Sequence, residues 1–326
     1  MKISLRVLVS VWLLVSLAGC KIGQEAGGRE TDVVVVCGDE DWEDVGPILT
    51  EAFSVTEKTL HEQRVFDLVR ARAQDLELYR FRKNLILMGN LESDVFEDVL
   101  SEDARVMVAS GESYMFGSLD GWITGQIVVM IVAPPGKSLS DIVALAGPSA
   151  FKYFNEHCLE RIRTRIYSEG IEEALKVRLR QAYGWTMDLP MGYKVADEDS
   201  SGGFVSFIRH NPERVILVYW GFDKGERSWI DIRNVMGLRY LQGDEVLPER
   251  VRQRGADFRG YTSRRLEGHW ENEEKVMGGP FVTYCFQDTV SGMYYMVDYN
   301  AFAPAKKKWP ILGQLEWIAR TFTLHN

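Results

Sequence analysis

Residues 83–91 read KNLILMGNL and residues 213–221 read ERVILVYWG. Each is an apolar run of strand length bounded by polar or glycine residues, and the two stand about 130 positions apart. The segments TEAF (50–53) and RQAYG (180–184), both read as helix ends, have a similar offset. Each half then continues through a long connection to a tryptophan (Trp122, Trp270), an apolar strand, an Ala-Pro pair (Ala133-Pro134, Ala303-Pro304) and a helix. The pattern predicts an α+β protein of two pseudo-repeated halves, residues 32–168 and 169–326. Each half is expected to be a mixed, largely antiparallel sheet with helices packed on one face.

Around these runs the remaining elements can be placed. DVVVVCG (32–38) has the β-branched continuity of a fully buried strand. In the helix predicted to follow, Asp41 is the expected N-cap, and Trp42, Val45, Ile48, Leu49 and Phe53 fall at helical spacing. RVFDLVRA (64–71) and QIVVMIVAPP (126–135) read as strands, and Ser138 to Arg165 as one long amphipathic helix. EEALKVRLRQAYG (172–184) reads as a helix and GGFVSFIRH (202–210) as a turn leading into a strand.

The N-terminus has a different logic. Lys2 and Arg6 precede an apolar stretch from Val7 to Ala18, too short for a stable membrane-spanning helix, and the run ends Leu17-Ala18-Gly19-Cys20. This pattern resembles a bacterial lipoprotein signal. The resemblance implies a signal peptide over 1–19, a diacylglyceryl group on the Cys20 sulfur, and cleavage before Cys20 followed by acylation of the new amine. KIGQEAGGRET (21–31) is polar and Gly-rich, so residues 20–31 are expected to act as a lipidated tether. Without the signal the chain keeps 36 Lys+Arg against 47 Asp+Glu, an acidic balance that argues against a nucleic-acid partner.

Chemistry-bearing motifs are sparse. The strand ending in Asp39-Glu40-Asp41 has a partial likeness to an aspartyl-phosphate site, and Asp39, Asp41 and Glu43 are the first carboxylates to suspect for catalysis. Against that, Cys37-Gly38 stand where the nucleophile belongs, and an acidic first helical turn has its own dipole rationale. His61, His157, His210, His269 and His325 have no metal-ligand spacing. Nucleophile-elbow, phosphate-loop and dinucleotide fingerprints are missing, so no cofactor is expected. Cys37, Cys158 and Cys285 sit in apolar contexts as buried thiols, although one disulfide among them stays open.

The C-terminal third is the most distinctive segment. Met277-Gly278-Gly279-Pro280-Phe281 follows an arginine-rich stretch and Trp270-Glu271, and precedes a tyrosine-rich strand and a helix containing Gln314-Leu315-Glu316. Together with DEDWEDVG (39–46) and RKNLILMGN (82–90), these residues make the chain similar to a family of uncharacterised Gram-negative lipoproteins carrying a domain of unknown function. The resemblance implies a lipid-anchored α+β protein of the cell envelope, at the outer membrane, and supplies no substrate or catalytic residues. Gly278, Gly279 and Pro280 are read as a structural turn before a strand. Arg264, Arg265, Trp270 and Tyr284 are the candidate binding residues, able to hold a planar or anionic ligand by stacking and bidentate hydrogen bonds. The functional expectation is a non-enzymatic binding or assembly module, attached to a membrane through Cys20, with an envelope protein or glycan as partner. The competing reading is a hydrolase or transferase acting on envelope polymers.

Overall fold

The computed structural model describes residues 25–57 and 63–325. Cys20, the 1–19 signal and His61 lie outside the described residues. The chain divides into two compact units, the first ending at Arg161 and the second beginning at Ile162, with residues 57–63 counted in the second.

In the first unit the strands are β1 (Asp32–Cys37), β2 (Asp67–Arg72), β3 (Asn84–Asn90), β4 (Met115–Leu119) and β5 (Ile127–Ala133), arranged β2-β1-β3-β5-β4. All neighbours are parallel except β4 and β5. Parallel strands covered on both faces need no polar alternation, which explains the continuous apolar runs VVVVC and LILM. Val34, Val36, Leu85, Leu87, Val128 and Met130 form one core with Ala104 and Val108 of α2 (Glu102–Ser110). The alternate residues Val33, Val35, Ile86, Val129 and Ile131 are equally buried. The longer helices beside it are α1 (Asp39–Ala52) and α3 (Leu139–Ile166), with a single helical turn at Leu76–Tyr79. Phe53 beyond α1, Phe66 ahead of β2, and Phe151 and Phe154 on α3 form an aromatic group with largely edge-on contacts.

One polar knot closes this unit. Asn84 is fully buried; its Nδ2 donates to the carbonyls of Glu30 and Asp32 (both 2.9 Å), and its Oδ1 accepts from Arg161 Nη2 (2.8 Å). Glu30 is paired with Lys83 and Arg161, each at 2.7 Å. The expected tether therefore stops before residue 25. From there Ala26 N–H donates to Thr124 O (3.0 Å), Gly27 N–H to Phe81 O (2.9 Å), and Lys83 N–H to Gly27 O (2.9 Å). Backbone pairing and a partly buried ion pair hold residues that composition alone marks as a linker.

The second unit is built on an antiparallel sheet. Its strands are β6 (Lys194–Asp199), β7 (Phe204–Arg209), β8 (Glu213–Gly221), β9 (Glu245–Val246), β10 (Arg252–Phe258), β11 (Tyr261–Asn272), β12 (Met277–Gln287) and β13 (Tyr294–Phe302). The order is β9-β11-β12-β13-β8-β7-β6, with β10 also pairing β11. On one face Val205, Phe207, Ile216, Val282, Tyr284 and Val297 meet Leu179 of α4 (Glu173–Tyr183) and Ile311, Leu315 and Ile318 of α6 (Trp309–Ala319). On the other, Phe204, Leu217, Leu266, Trp270, Phe281 and Met296 meet Ile230, Ile232 and Met236 of α5 (Trp229–Tyr240).

The class is α+β, with one large mixed sheet, one large antiparallel sheet and two two-stranded pairs among the described residues. The pseudo-repeat does not hold: β3 and β8, whose likeness suggested it, are both buried, but β3 runs between parallel neighbours and β8 between antiparallel ones. Nor are the helices of the second unit confined to one face. An apolar run records burial on both sides and carries no sign of strand direction.

Candidate functional site

The site is assembled on the α6 face of the second sheet. Arg265 of β11 lies directly opposite Tyr284 of β12, so both side chains point the same way. There they meet Glu316 and Arg320, one turn apart on and just beyond α6. Glu316 Oε1 accepts from Tyr284 OH (2.7 Å) and Arg320 Nε, while Oε2 accepts from Tyr299 OH and from Arg265 Nη1 (3.1 Å). Arg265 and Arg320 both lie over the Tyr284 ring, 5.2 and 5.4 Å from its centroid.

The network extends outward along the hairpin of β10 and β11. Arg254 is paired with Arg265 and Arg252 with Glu267, which puts all four on this face. Glu267 is bonded to Arg265 at 2.9 Å and is within 3.5 Å of Arg252 and 3.8 Å of Arg254. Guanidiniums and carboxylates thus alternate from Arg252 and Arg254 through Glu267 and Arg265 to Glu316 and Arg320. Arg265 and the two carboxylates are the sheltered members, 17 % and 24 % exposed, against 61 % and 48 % for Arg252 and Arg254. Four positive groups over two negative ones make a basic surface on a chain of net charge −9.

Electrostatics hold this array in its charged form. Burial works against the Glu316 carboxylate, but Arg265, the two tyrosine hydroxyls and Arg320 together keep it below the usual carboxyl range. Burial likewise works against the charge of Arg265 and is outweighed by its tyrosine and glutamate neighbours, so it titrates above its ordinary range. Burial and the Glu316 charge push the Tyr284 phenol up to about 12.

The candidate residues from the sequence divide between the two faces. Arg265 and Tyr284 come together. Arg264 and Trp270, at even positions of β11, belong to the opposite side, where Arg264 is exposed and Trp270 is buried in the α5 core. Arg233 of α5 is buried there too, 3.6 Å from the buried Asp298 and over the Phe281 ring. The four candidates therefore form no single groove. Gly278, Gly279 and Pro280 are not a turn: they lie inside β12, opposite Glu271, Trp270 and His269. A Cβ on Gly279 would run into the carbonyl oxygen of Ala301, so close backbone approach is what requires glycine there. Pro280 is the fourth residue of the strand, and the ladder to β13 begins only at Phe281.

The suspected carboxylates of the first unit are engaged in helix-start geometry. Gly38, not Asp41, is the N-cap of α1. Asp41 lies in the first turn and accepts from the Gly38 N–H, while burial and Glu40 raise its pKa. Asp39 is paired with Arg70, and Glu43 is exposed. Cys37, Cys158 and Cys285 are buried free thiols; burial pushes Cys37 to about 11 and Cys158 to about 12, and Cys285 is also raised. Among the described residues no three His, Cys, Asp or Glu side chains could hold a metal ion, and no helix is long and apolar enough to cross a membrane.

Glu267, Tyr299, Glu316, Arg320, Arg252 and Arg254 escaped the sequence reading. The available signals were the i,i+4 pair Glu316–Arg320 and the alternation of arginines at 252 and 254 in an acidic chain.

Comparison with known proteins supplies no activity. Residues 172–321 match the family described as Domain of unknown function (DUF4837), a span that contains every member of the Arg–Tyr–Glu array. No curated protein matches the chain. Among solved structures, LpqN, involved in cell envelope biogenesis of Mycobacterium tuberculosis, is 12% identical with TM-score 0.28, covering 44% of this chain and 83% of its own. The Saccharomyces cerevisiae Ran-binding protein Mog1p is 11% identical with TM-score 0.29, covering 43% and 90%. A Bacteroides thetaiotaomicron protein is 7% identical with TM-score 0.28 over 44% of this chain, which spans 46% of that protein's length. At these TM-scores the likenesses decide neither fold nor function.

Proposed function

We propose that this chain is an envelope lipoprotein, anchored in the outer membrane through Cys20, whose second unit is a binding or assembly module for an acidic envelope protein or glycan. The observation that carries the binding part is the excess of guanidinium over carboxylate along Arg252, Arg254, Arg265 and Arg320. The inner members are locked by Glu267 and Glu316, and the outer pair stands exposed. Such an arrangement holds bidentate donors in place before a partner arrives, which lowers the ordering cost of binding. The LAGC pattern supports the anchor.

The test compares two variant sets at matched protein levels in cells. Arg252→Ser with Arg254→Ser should weaken an envelope phenotype and lower the affinity of the purified protein for polyglutamate or alginate in a salt-dependent way. Asp39→Asn with Asp41→Asn should leave both intact. If the aspartate pair abolishes function in a folded protein while the arginines are dispensable, the binding reading fails and a hydrolase or transferase takes its place. Fatty-acid labelling that persists in Cys20→Ser would separately remove the anchor.

A further inference from the structure

One surface of the first unit is apolar, aromatic and basic at once, and it lies where the chain enters the fold. Leu78 and Phe81 are 77 % and 53 % exposed. The guanidinium of Arg80, paired with the exposed Glu77 carboxylate at 2.7 Å, sits between two rings, 5.4 Å from the Phe81 centroid and 5.5 Å from that of the half-buried Trp122, so the positive charge of the patch comes from Arg82 and Arg29. Arg82 and Arg29 are exposed alongside, with Arg82 near Gly28. Arg80, Phe81, Arg82 and Trp122 occupy the loops that precede β3 and β5, on the edge of the sheet where the parallel strands begin; Leu78 lies on the short helix Leu76–Tyr79 just before, and Arg29 precedes β1.

The platform is held in shape from beneath. Gln126 is 1 % exposed; its Nε2 donates to the carbonyls of Arg80 (2.6 Å) and Arg82 (2.8 Å), and its Oε1 accepts from Trp122 N–H (3.0 Å). One buried amide thus clamps the 80–82 loop to the 120–126 loop. The N-terminal segment is stitched to the same two loops through the Ala26–Thr124 and Gly27–Phe81 backbone bonds.

Resting on the lipoprotein reading above, we infer that this edge docks onto the lipid surface beside the anchor, with Leu78 and Phe81 entering the interface and Trp122 and Arg80 at headgroup level. The length of chain outside the described residues selects this occupant. Five residue steps separate Cys20 from Glu25, so Glu25 stands within about 18 Å of the lipid-bearing residue even when the chain is fully extended. Residues 26 and 27 are hydrogen-bonded to the patch itself, which therefore cannot stand far from the bilayer. Exposed aliphatic and aromatic side chains flanked by arginine and tryptophan match an interface of apolar tails and anionic headgroups. The opposite edge of the sheet, where β1 and β3 end at Cys37 and Asn90, is then turned to the aqueous side.

The full lipidated protein is reconstituted in phosphatidylethanolamine/phosphatidylglycerol vesicles with an environment-sensitive fluorophore on Phe81→Cys or, as the control beyond the carboxyl end of β3, on Glu92→Cys. The native thiols are buried and stay unlabelled. Brominated lipids should quench the probe at position 81 at least two-fold and leave that at position 92 unchanged. Adding Leu78→Glu should reduce the quenching at 81 without releasing the protein from the vesicles. Equal, water-like emission at both positions in a vesicle-bound, fatty-acylated protein overturns the docking while the anchor stands. Absence of the acyl group overturns both. Matched thermal melts of the labelled variants exclude unfolding as the cause.

Discussion

Replacing Glu316 with glutamine removes one charge and one acceptor while keeping the shape of the side chain. The carboxylate serves four donors on two oxygens: Tyr284 and Arg320 on one, Arg265 and Tyr299 on the other. An amide has one acceptor oxygen, so one of these pairs must face an NH2 group. Hydrogen bonds to charged groups contribute about 1.5–3 kcal/mol each, which would make the loss about 3–6 kcal/mol if nothing adjusted. Two adjustments reduce it: a tyrosine hydroxyl can rotate to accept from the new NH2, and Arg320, 39 % exposed, can turn to water. The expected net cost is about 2–3 kcal/mol. Urea unfolding of the full chain followed by tryptophan fluorescence reports mainly on the second unit, which holds most of the tryptophans. With an m-value of about 2 kcal/mol/M the midpoint of that transition should fall by about 1–1.5 M. In an Arg265→Met background the same substitution should cost distinctly less, because one donor is already gone. A midpoint shift below about 0.25 M, or full additivity with Arg265→Met, would show that water dissolves the array and refute its description as an interlocked site.

Gly279→Ala should destabilise the second unit by about 1–3 kcal/mol, because the new methyl meets the Ala301 backbone carbonyl. Gly255→Ala on β10, where nothing lies within 4 Å, should stay within about 0.5 kcal/mol in the same urea assay. Asp39→Asn with Asp41→Asn should cost about 0.5–2 kcal/mol in first-unit stability, the scale of a helix-start contribution, as read by hydrogen exchange across α1. With pH the second unit should lose stability at both ends. The depressed Glu316 pKa makes its contribution complete above the ordinary value of 4.5 and lost as pH falls through the lower folded value. The raised Tyr284 pKa makes its contribution complete below 10 and lost as pH climbs toward about 12. Thermal melts across pH should show both limbs, and Glu316→Gln should flatten the acid one.

Where burial alone decides the structure, the sequence was readable. The runs at 32–37, 84–90 and 127–133 and the helix Leu139–Ile166 follow from hydrophobic continuity and period. Strand direction did not, because VVVV between parallel neighbours and VILV between antiparallel ones face the same apolar surroundings. Arg265 and Tyr284 were legible as polar and aromatic groups in an unusual segment, but Glu316, 51 positions beyond Arg265, looks like an ordinary charge on a helix. Trp270 was misread for the converse reason: a tryptophan beside arginines suggests a ligand platform until the two-residue period of β11 turns it into the core. Glu30 shows the limit of composition, since a Gly-rich polar stretch can still be bonded to a strand edge.

The knot of Glu30, Asn84 and Arg161 also sets a timetable. Arg161 follows Glu30 by 131 residues, so at about 5–20 residues per second the ribosome takes roughly 7–26 s to supply the group that closes the first unit. Until then Glu30 lacks one of its two cationic partners and Asn84 Oδ1 lacks its guanidinium donor, so the bonds between Asn84, Lys83 and the residue 30–32 segment are what fasten β1 to β3 first.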